Sequence, residues 1–94
     1  MEEGIEMSRF IVIHRLPGAA TQDAVIAVGQ AVTARLSDNA RWLNSWLIPD
    51  GDRLLCEWEA SDEEAIQAVL MGADLFPIEA IYPAEHIAPA WFAA

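Results

Sequence analysis

Ninety-four residues are enough for one small domain and not two, and a chain this short buries only about 60–65% of its unfolded surface when it folds alone. The formal net charge is −10, and all five cations are arginines (Arg9, Arg15, Arg35, Arg41 and Arg53). No basic patch can be assembled from them, which argues against nucleic acid and anionic membrane surfaces as partners.

The first seven residues, MEEGIEM, are acidic and lack the apolar stretch of a signal peptide. Residues 1–7 are expected to form a flexible tail, with Met7 an alternative start, ahead of one domain over residues 8–94. No apolar run is long enough to cross a bilayer. The single cysteine, Cys56, leaves neither an internal disulfide nor a CxxC pair. Together these predict a cytoplasmic protein.

Arg9–Arg15 is a strand by its β-branched density, and Leu16-Pro17-Gly18 ends it. Thr21 is a reasonable N-cap, with Gln22 and Asp23 in the first turn. Val25, Val28, Val32 and Leu36 then mark one face of a helix running to about Leu36. After a loop at Ser37–Ala40, Trp42, Leu43, Trp46, Leu47 and Ile48 supply a second strand. Pro49-Asp50-Gly51-Asp52 reads as a tight turn: proline presets φ, aspartate bonds its own backbone and glycine accepts positive φ. Leu54, Leu55, Cys56 and Trp58 follow, so the two runs form a hairpin. Ser61-Asp62-Glu63-Glu64 has the pattern of a capping box, Ser61 and Glu64 satisfying each other's backbone N–H. Ile66, Val69, Leu70 and Ala73 continue as one helical face, with Gly72 a plausible stop. A fourth strand lies within Ile78–Ile87. Pro83 cannot donate to a central ladder, so this strand is an edge or carries a bulge.

The order β-α-β-β-α-β is the split βαβ, or ferredoxin-like, arrangement of the α+β class. Right-handed crossovers put strands 1 and 3 in the centre of a four-stranded antiparallel sheet, with both helices on one face. The other face also reads as apolar. Phe10 and Val12 oppose Ile11 and Ile13 on strand 1, and Trp42 and Trp46 oppose Leu43 and Leu47 on strand 2. A solvated face would alternate with polar residues. In addition, 54% of the chain is hydrophobic, four tryptophans included. That is more than a two-layer monomer of this size hides, so a homodimer packed through the open sheet faces, a dimeric α/β barrel, is expected.

Four residues are candidates for ligand binding: His14, Trp46, Glu57 and His86. His14 closes strand 1 as a proton shuttle, a metal ligand, or a structural histidine bonded to a neighbour. His86 is a ligand or a solvated edge residue, and the two histidines approach each other only if strand 4 is centred near His86. On strand 3, Leu54, Cys56 and Trp58 share the helix side, and Leu55, Glu57 and Glu59 the open side. Cys56 then reads as a small buried hydrophobe more readily than as a nucleophile. Glu57 would need Arg9, Arg15 or Arg41 if its face is covered, or could act as a base if its pKa is raised. Trp42 and Trp46, sharing one side of an edge strand with Trp58 within reach, are core packing or the walls of an apolar pocket. The apolar C-terminal tail at residues 88–94, with Pro89-Ala90-Trp91-Phe92, should dock on a pocket mouth or on a partner. No phosphate loop, serine elbow or HExxH is present.

The apolar strand ending in Leu16-Pro17-Gly18, Trp42, Ser45-Trp46, the hairpin with Asp52, Cys56, Trp58 and the run Ala60–Ile66 resemble a small uncharacterised bacterial family of dimeric α+β barrels. Its members include nickel-binding-protein-like sequences. The resemblance spans most of Phe10–Ile87 and implies the fold, a homodimer, and a metal ion such as nickel as a possible cofactor, with His14, His86 and Glu57 the available ligands. The family's acidic position in strand 1 and histidine in the second helix correspond here to Ile13 and to Ala68 or Val69, which cannot ligate, and this weakens the nickel reading. Two functions follow. The first is a dimeric protein binding a small ligand or metal ion without catalysis. The second is a cofactor-independent enzyme of the monooxygenase or isomerase type found on dimeric barrels, a reading by analogy of fold.

Overall fold

A computed structural model of the chain describes residues 7–16, 21–71 and 76–93. The strand-ending Pro17-Gly18, Ala73, the Gly72 helix stop and most of the N-terminal tail lie outside these. The elements run β1 (Ser8–Arg15), α1 (Gln22–Thr33), β2 (Ala40–Ile48), a 3-10 turn (Pro49–Gly51), β3 (Arg53–Ala60), α2 (Glu63–Leu70), β4 (Ile78–Ala84) and a 3-10 turn (Pro89–Phe92). The sheet is antiparallel throughout, in the order β2-β3-β1-β4. The ferredoxin-like α+β arrangement, with β1 and β3 central, is therefore the fold of this chain. Pro83 sits on an edge strand opposite Phe10, where its missing N–H interrupts nothing beyond.

Both helices lie on one face. Phe10 and Val12 of β1, Ala40 of β2, and Cys56, Trp58 and Ala60 of β3 meet Val32 of α1 and Ile66, Val69 and Leu70 of α2 in a single buried cluster. Val12, Ala40, Ala60 and Ile66 are 0% exposed and Trp58 1%. Arg35 ties the helices together, its Nε donating to the Val69 carbonyl at 3.1 Å, one of the orphan carbonyls at the end of α2.

Local chemistry sets most boundaries. Thr21 caps α1, its Oγ1 accepting from the Ala24 N–H at 3.1 Å. α1 stops at Thr33, earlier than the apolar spacing suggested. Its last turn tightens, Arg35 N–H bonding the Val32 carbonyl and Leu36 N–H the Thr33 carbonyl, and Leu36 is left 37% exposed instead of continuing the buried face. The cap of α2 is Asp62, not Ser61: the Asp62 carboxylate accepts from the Ala65 N–H at 2.8 Å. The Ser61 N–H is committed to the Asn39 carbonyl at 2.9 Å, so the chain stays bound to the hairpin for one residue more. In the hairpin turn the left-handed residue is Asp52 (φ 53) and not Gly51; aspartate tolerates that region through local hydrogen bonding. The Asp52 carbonyl accepts from Leu16 N–H at 2.8 Å, joining the turn to the end of β1.

A β-bulge changes the reading of β2. Trp42 pairs with Trp58 and Asn44 with Glu57, so Leu43 is an extra residue. One inserted residue reverses the alternation beyond it. Trp42 and Trp46 therefore do not share a side. Trp42 packs on the helix side, stacked on Trp58 with centroids 6.4 Å apart. Trp46 pairs with Leu55 on the open side.

Candidate functional site

Among the described residues, two concavities on opposite faces of the sheet divide the four predicted residues. His14 lines the first; Trp46, Glu57 and His86 line the second.

The first is a cavity of about 70 Å³ between α1 and the sheet. Val25, Val28, Gly29 and Val32 of α1 form its roof, and Leu54, Cys56 and Trp58 are among its floor residues. Gly29 faces Trp42: a Cβ at this position would lie in ordinary contact with the ring, 3.4 Å from the indole Cη2. The bulge at Leu43 has a second effect here, since it returns Ser45 to this side opposite Cys56. Ser45 Oγ accepts from Trp42 Nε1 at 2.7 Å and donates to Cys56 Sγ at 3.0 Å, so its only proton and one of its two lone pairs are used within the wall.

His14 is 3% exposed. Its Nδ1 is 3.0 Å from the Phe76 carbonyl. A carbonyl only accepts, so Nδ1 carries the proton and Nε2 of the neutral ring is an acceptor. Burial pushes the imidazole pKa below its ordinary value, against the Phe76 bond, which raises it. Burial likewise pushes the Cys56 thiol up, with the Ser45 bond pulling the other way. Among the described residues the cavity wall is thus uncharged at neutral pH. Trp58 adds a buried indole N–H that has no partner among the described residues.

The second concavity is an open groove on the uncovered face. Arg9, Glu57 and Asn44 form a polar island in it, with Ile11, Leu43, Trp46, His86 and Ile87 around them. Arg9 forms an ion pair with Glu57, and Asn44 Nδ2 donates to the other Glu57 oxygen at 3.0 Å. The Asn44 amide, with the Arg9 guanidinium and the more distant His86, holds the Glu57 carboxyl below its usual range against a smaller effect of burial. A base with a raised pKa is therefore not what this glutamate provides. Of the three arginines considered for it, Arg9 is the partner.

The register separates the two histidines. His14 pairs with Ile78 at one end of β4, whereas His86 lies beyond its other end, Ala84. Trp91 meets His86 edge-on at 6.1 Å but is 67% exposed, and Phe92 74%. Within one chain the aromatic tail is not buried. Among the described residues no three His, Cys, Asp or Glu side chains gather closely enough to hold a metal ion. His14, Glu57 and His86 cannot act as one ligand set, because the sheet stands between the first and the other two. No helix among the described residues is long and apolar enough to cross a membrane.

Sequence reasoning missed Ser45, Gly29 and the Trp58 N–H as parts of a site. The Ser45 role depends on the bulge, and no residue type at Leu43 announces one.

A family model described as "Nickel responsive protein SCO4226-like" matches residues 10–83. The fold matches the crystal structure of SCO4226 from Streptomyces coelicolor A3(2) with a TM-score of 0.73 at 24% identity, covering 86% of this chain and 100% of that chain. At that identity the likeness carries the fold alone. No curated protein matches the sequence.

Proposed function

The chain belongs to the SCO4226-like family, and on that premise we propose that it is a small homodimeric binding protein that takes up a small ligand without transforming it. The observation that carries this reading is the cavity under α1, walled by apolar side chains and holding an uncharged histidine. A concave, mostly apolar site with few polar groups is the usual form of a small-molecule site.

The homodimer is supported by the open face. Ile11, Ile13 and Leu55 lie at its centre, half-buried, and Trp46 and Tyr82 are 52% and 56% exposed beside them. A contiguous patch of this kind is uncommon on a monomer. The Arg9–Glu57 pair at the groove offers both signs of charge, which suits a two-fold interface in which the same patch meets itself.

A metal ion as ligand draws its support from the family description, which names nickel. The residues of a single chain do not fit it, since His14 stands apart from Glu57 and His86. One observation favours an enzyme as second reading: the neutral His14, with an acceptor nitrogen in an apolar cavity, has the form of a general base.

Sedimentation combined with tryptophan-fluorescence titration tests the proposal. A dimer and a saturable response to a small apolar ligand are the expected result. A monomer, or no response to any apolar ligand or divalent metal, overturns it. Conversion of a bound ligand that stops in His14→Gln would favour the enzyme.

A further inference from the structure

The cavity under α1 constrains its occupant by size, by charge and by hydrogen bonding. Its 70 Å³ is roughly half the volume of an apolar cavity that accommodates benzene. Among the described residues its wall offers no charged group. His14 and Cys56 are the titratable side chains in the lining, and an ion placed against them would lose its hydration with nothing to replace it. Arg9 and Glu57 lie on the opposite face of the sheet and are paired with each other.

Polar capacity in the wall is small and specific. Ser45 has given its only proton to Cys56 and one of its two lone pairs to Trp42. His14 Nδ1–H is spent on the Phe76 carbonyl, and Nε2 remains as a lone-pair acceptor with no partner among the described residues. With the Trp58 indole N–H in the same lining, likewise unpartnered among the described residues, the wall holds a free nitrogen acceptor and a free donor, and suits a ligand that can donate a hydrogen bond as well as accept one. A hydroxyl does this, and a carbonyl does not.

Resting on the reading of this chain as a binding protein, we infer that the cavity between α1 and the sheet binds a small, uncharged alcohol of about four heavy atoms, or the hydroxyl-bearing end of a larger apolar molecule, with the hydroxyl donating to His14 Nε2. Val25, Val28, Leu54 and the Trp42 ring contact the hydrocarbon part. Gly29 leaves the space that this part fills.

The four tryptophans provide the test, because they report from different places. Trp42 and Trp58 line the cavity; Trp46 and Trp91 do not. In ¹⁵N–¹H spectra of the full chain, propan-2-ol should shift the Trp42 and Trp58 indole resonances saturably, with Kd on the order of millimolar for a ligand this small. Acetate and isopropylammonium have the same number of heavy atoms but carry charge, and each should bind at least about 10-fold more weakly. Acetone, equal in size but without a donor, should lose several-fold. Gly29→Ala places a methyl group in the cavity and should remove the saturable shift while the four indole resonances keep their dispersion.

Equal affinity for either ion would overturn the ligand class and leave the binding protein standing. Equal affinity for acetone would remove His14 from the site. A response at Trp46 or Trp91 alone, or unchanged binding in Gly29→Ala, would overturn the placement. Silence from all of these probes would overturn the inference; whether the wider reading survives would then rest on the divalent-metal titration, which reports separately.

Discussion

Trp46→Ser removes the largest exposed side chain of the open face and so measures what that face does. In the single chain Trp46 is 52% exposed, and a tryptophan side chain presents about 250 Å². A second copy laid over the sheet would therefore cover roughly 130 Å² of it, worth about 3 kcal/mol at 25 cal/mol/Å². A two-fold interface contains the residue twice, which raises the loss to about 6 kcal/mol, or about four decades in the dimer dissociation constant. This is an upper figure, because the serine recovers part of the contact. The folded single chain should hardly notice the change, since a residue already half in water contributes little to its own core. Sedimentation equilibrium on both proteins reads the effect: a wild-type dimer and a Trp46→Ser monomer with unchanged circular dichroism. A wild-type chain that remains monomeric at about 100 µM, a concentration at which micromolar complexes persist, refutes the reasoning. So does a variant that dimerises as tightly as the parent.

Asp62→Ala should cost about 1 kcal/mol in urea unfolding through the lost α2 cap, and Ser61→Ala less than about 0.5 kcal/mol; the reverse order would restore the capping box. Gly29→Ala should gain roughly 0.5–1 kcal/mol from helix propensity, because the new Cβ lies in ordinary contact, 3.4 Å from Trp42. A drop in the urea midpoint would mean that the ring and helix cannot accommodate it. His14 makes stability depend on pH in a definite direction. Its folded pKa is lowered, so below about pH 6.5 the unfolded chain takes up a proton that the folded chain does not. Stability should be flat above that pH and fall as pH drops towards the lowered folded value. His14→Gln should flatten this part of the urea-midpoint profile between about pH 5 and pH 8, and a profile unchanged by the substitution would remove His14 as its source. The Glu57 contribution lies lower, in the carboxylate range, and is lost as acid protonates it away from Asn44 and Arg9.

The element order was legible because each signal in it is local. β-branched density marked β1, the Thr21 hydroxyl opened α1, Pro83 sent β4 to an edge, and Asp62 at the start of α2 was already within the right tetrad. What failed was also local in appearance, but it was decided at a distance. Ser61 matched a cap and is instead held by Asn39 across the hairpin end. Gly51 matched the left-handed turn residue, and Asp52 holds that conformation, its carbonyl bonded to Leu16 beside β1.

The candidate site was half legible for the same reason. The strand alternation correctly put Cys56 and Trp58 opposite Glu57, because a strand without a bulge has a strict period of two. It put Trp42 with Trp46 wrongly, because the period breaks at Leu43. His14 was a credible candidate by type and position. Its separation from His86 was not readable, since the register of β4 depends on which of its residues meets Ile11, and that is Tyr82.

The sequence by itself determined the order of strands and helices, the acidity without a basic patch, and the excess of apolar side chains over what one thin domain can cover. Each of these is a property of residue types and their spacing along the chain. Only the tertiary structure decided which face each tryptophan meets, that His14 stands alone in an apolar cavity, and that Glu57 is claimed by Arg9 and Asn44. Those are matters of register, where one inserted residue turns every later side chain to the other side of the sheet, and no single residue type records the insertion.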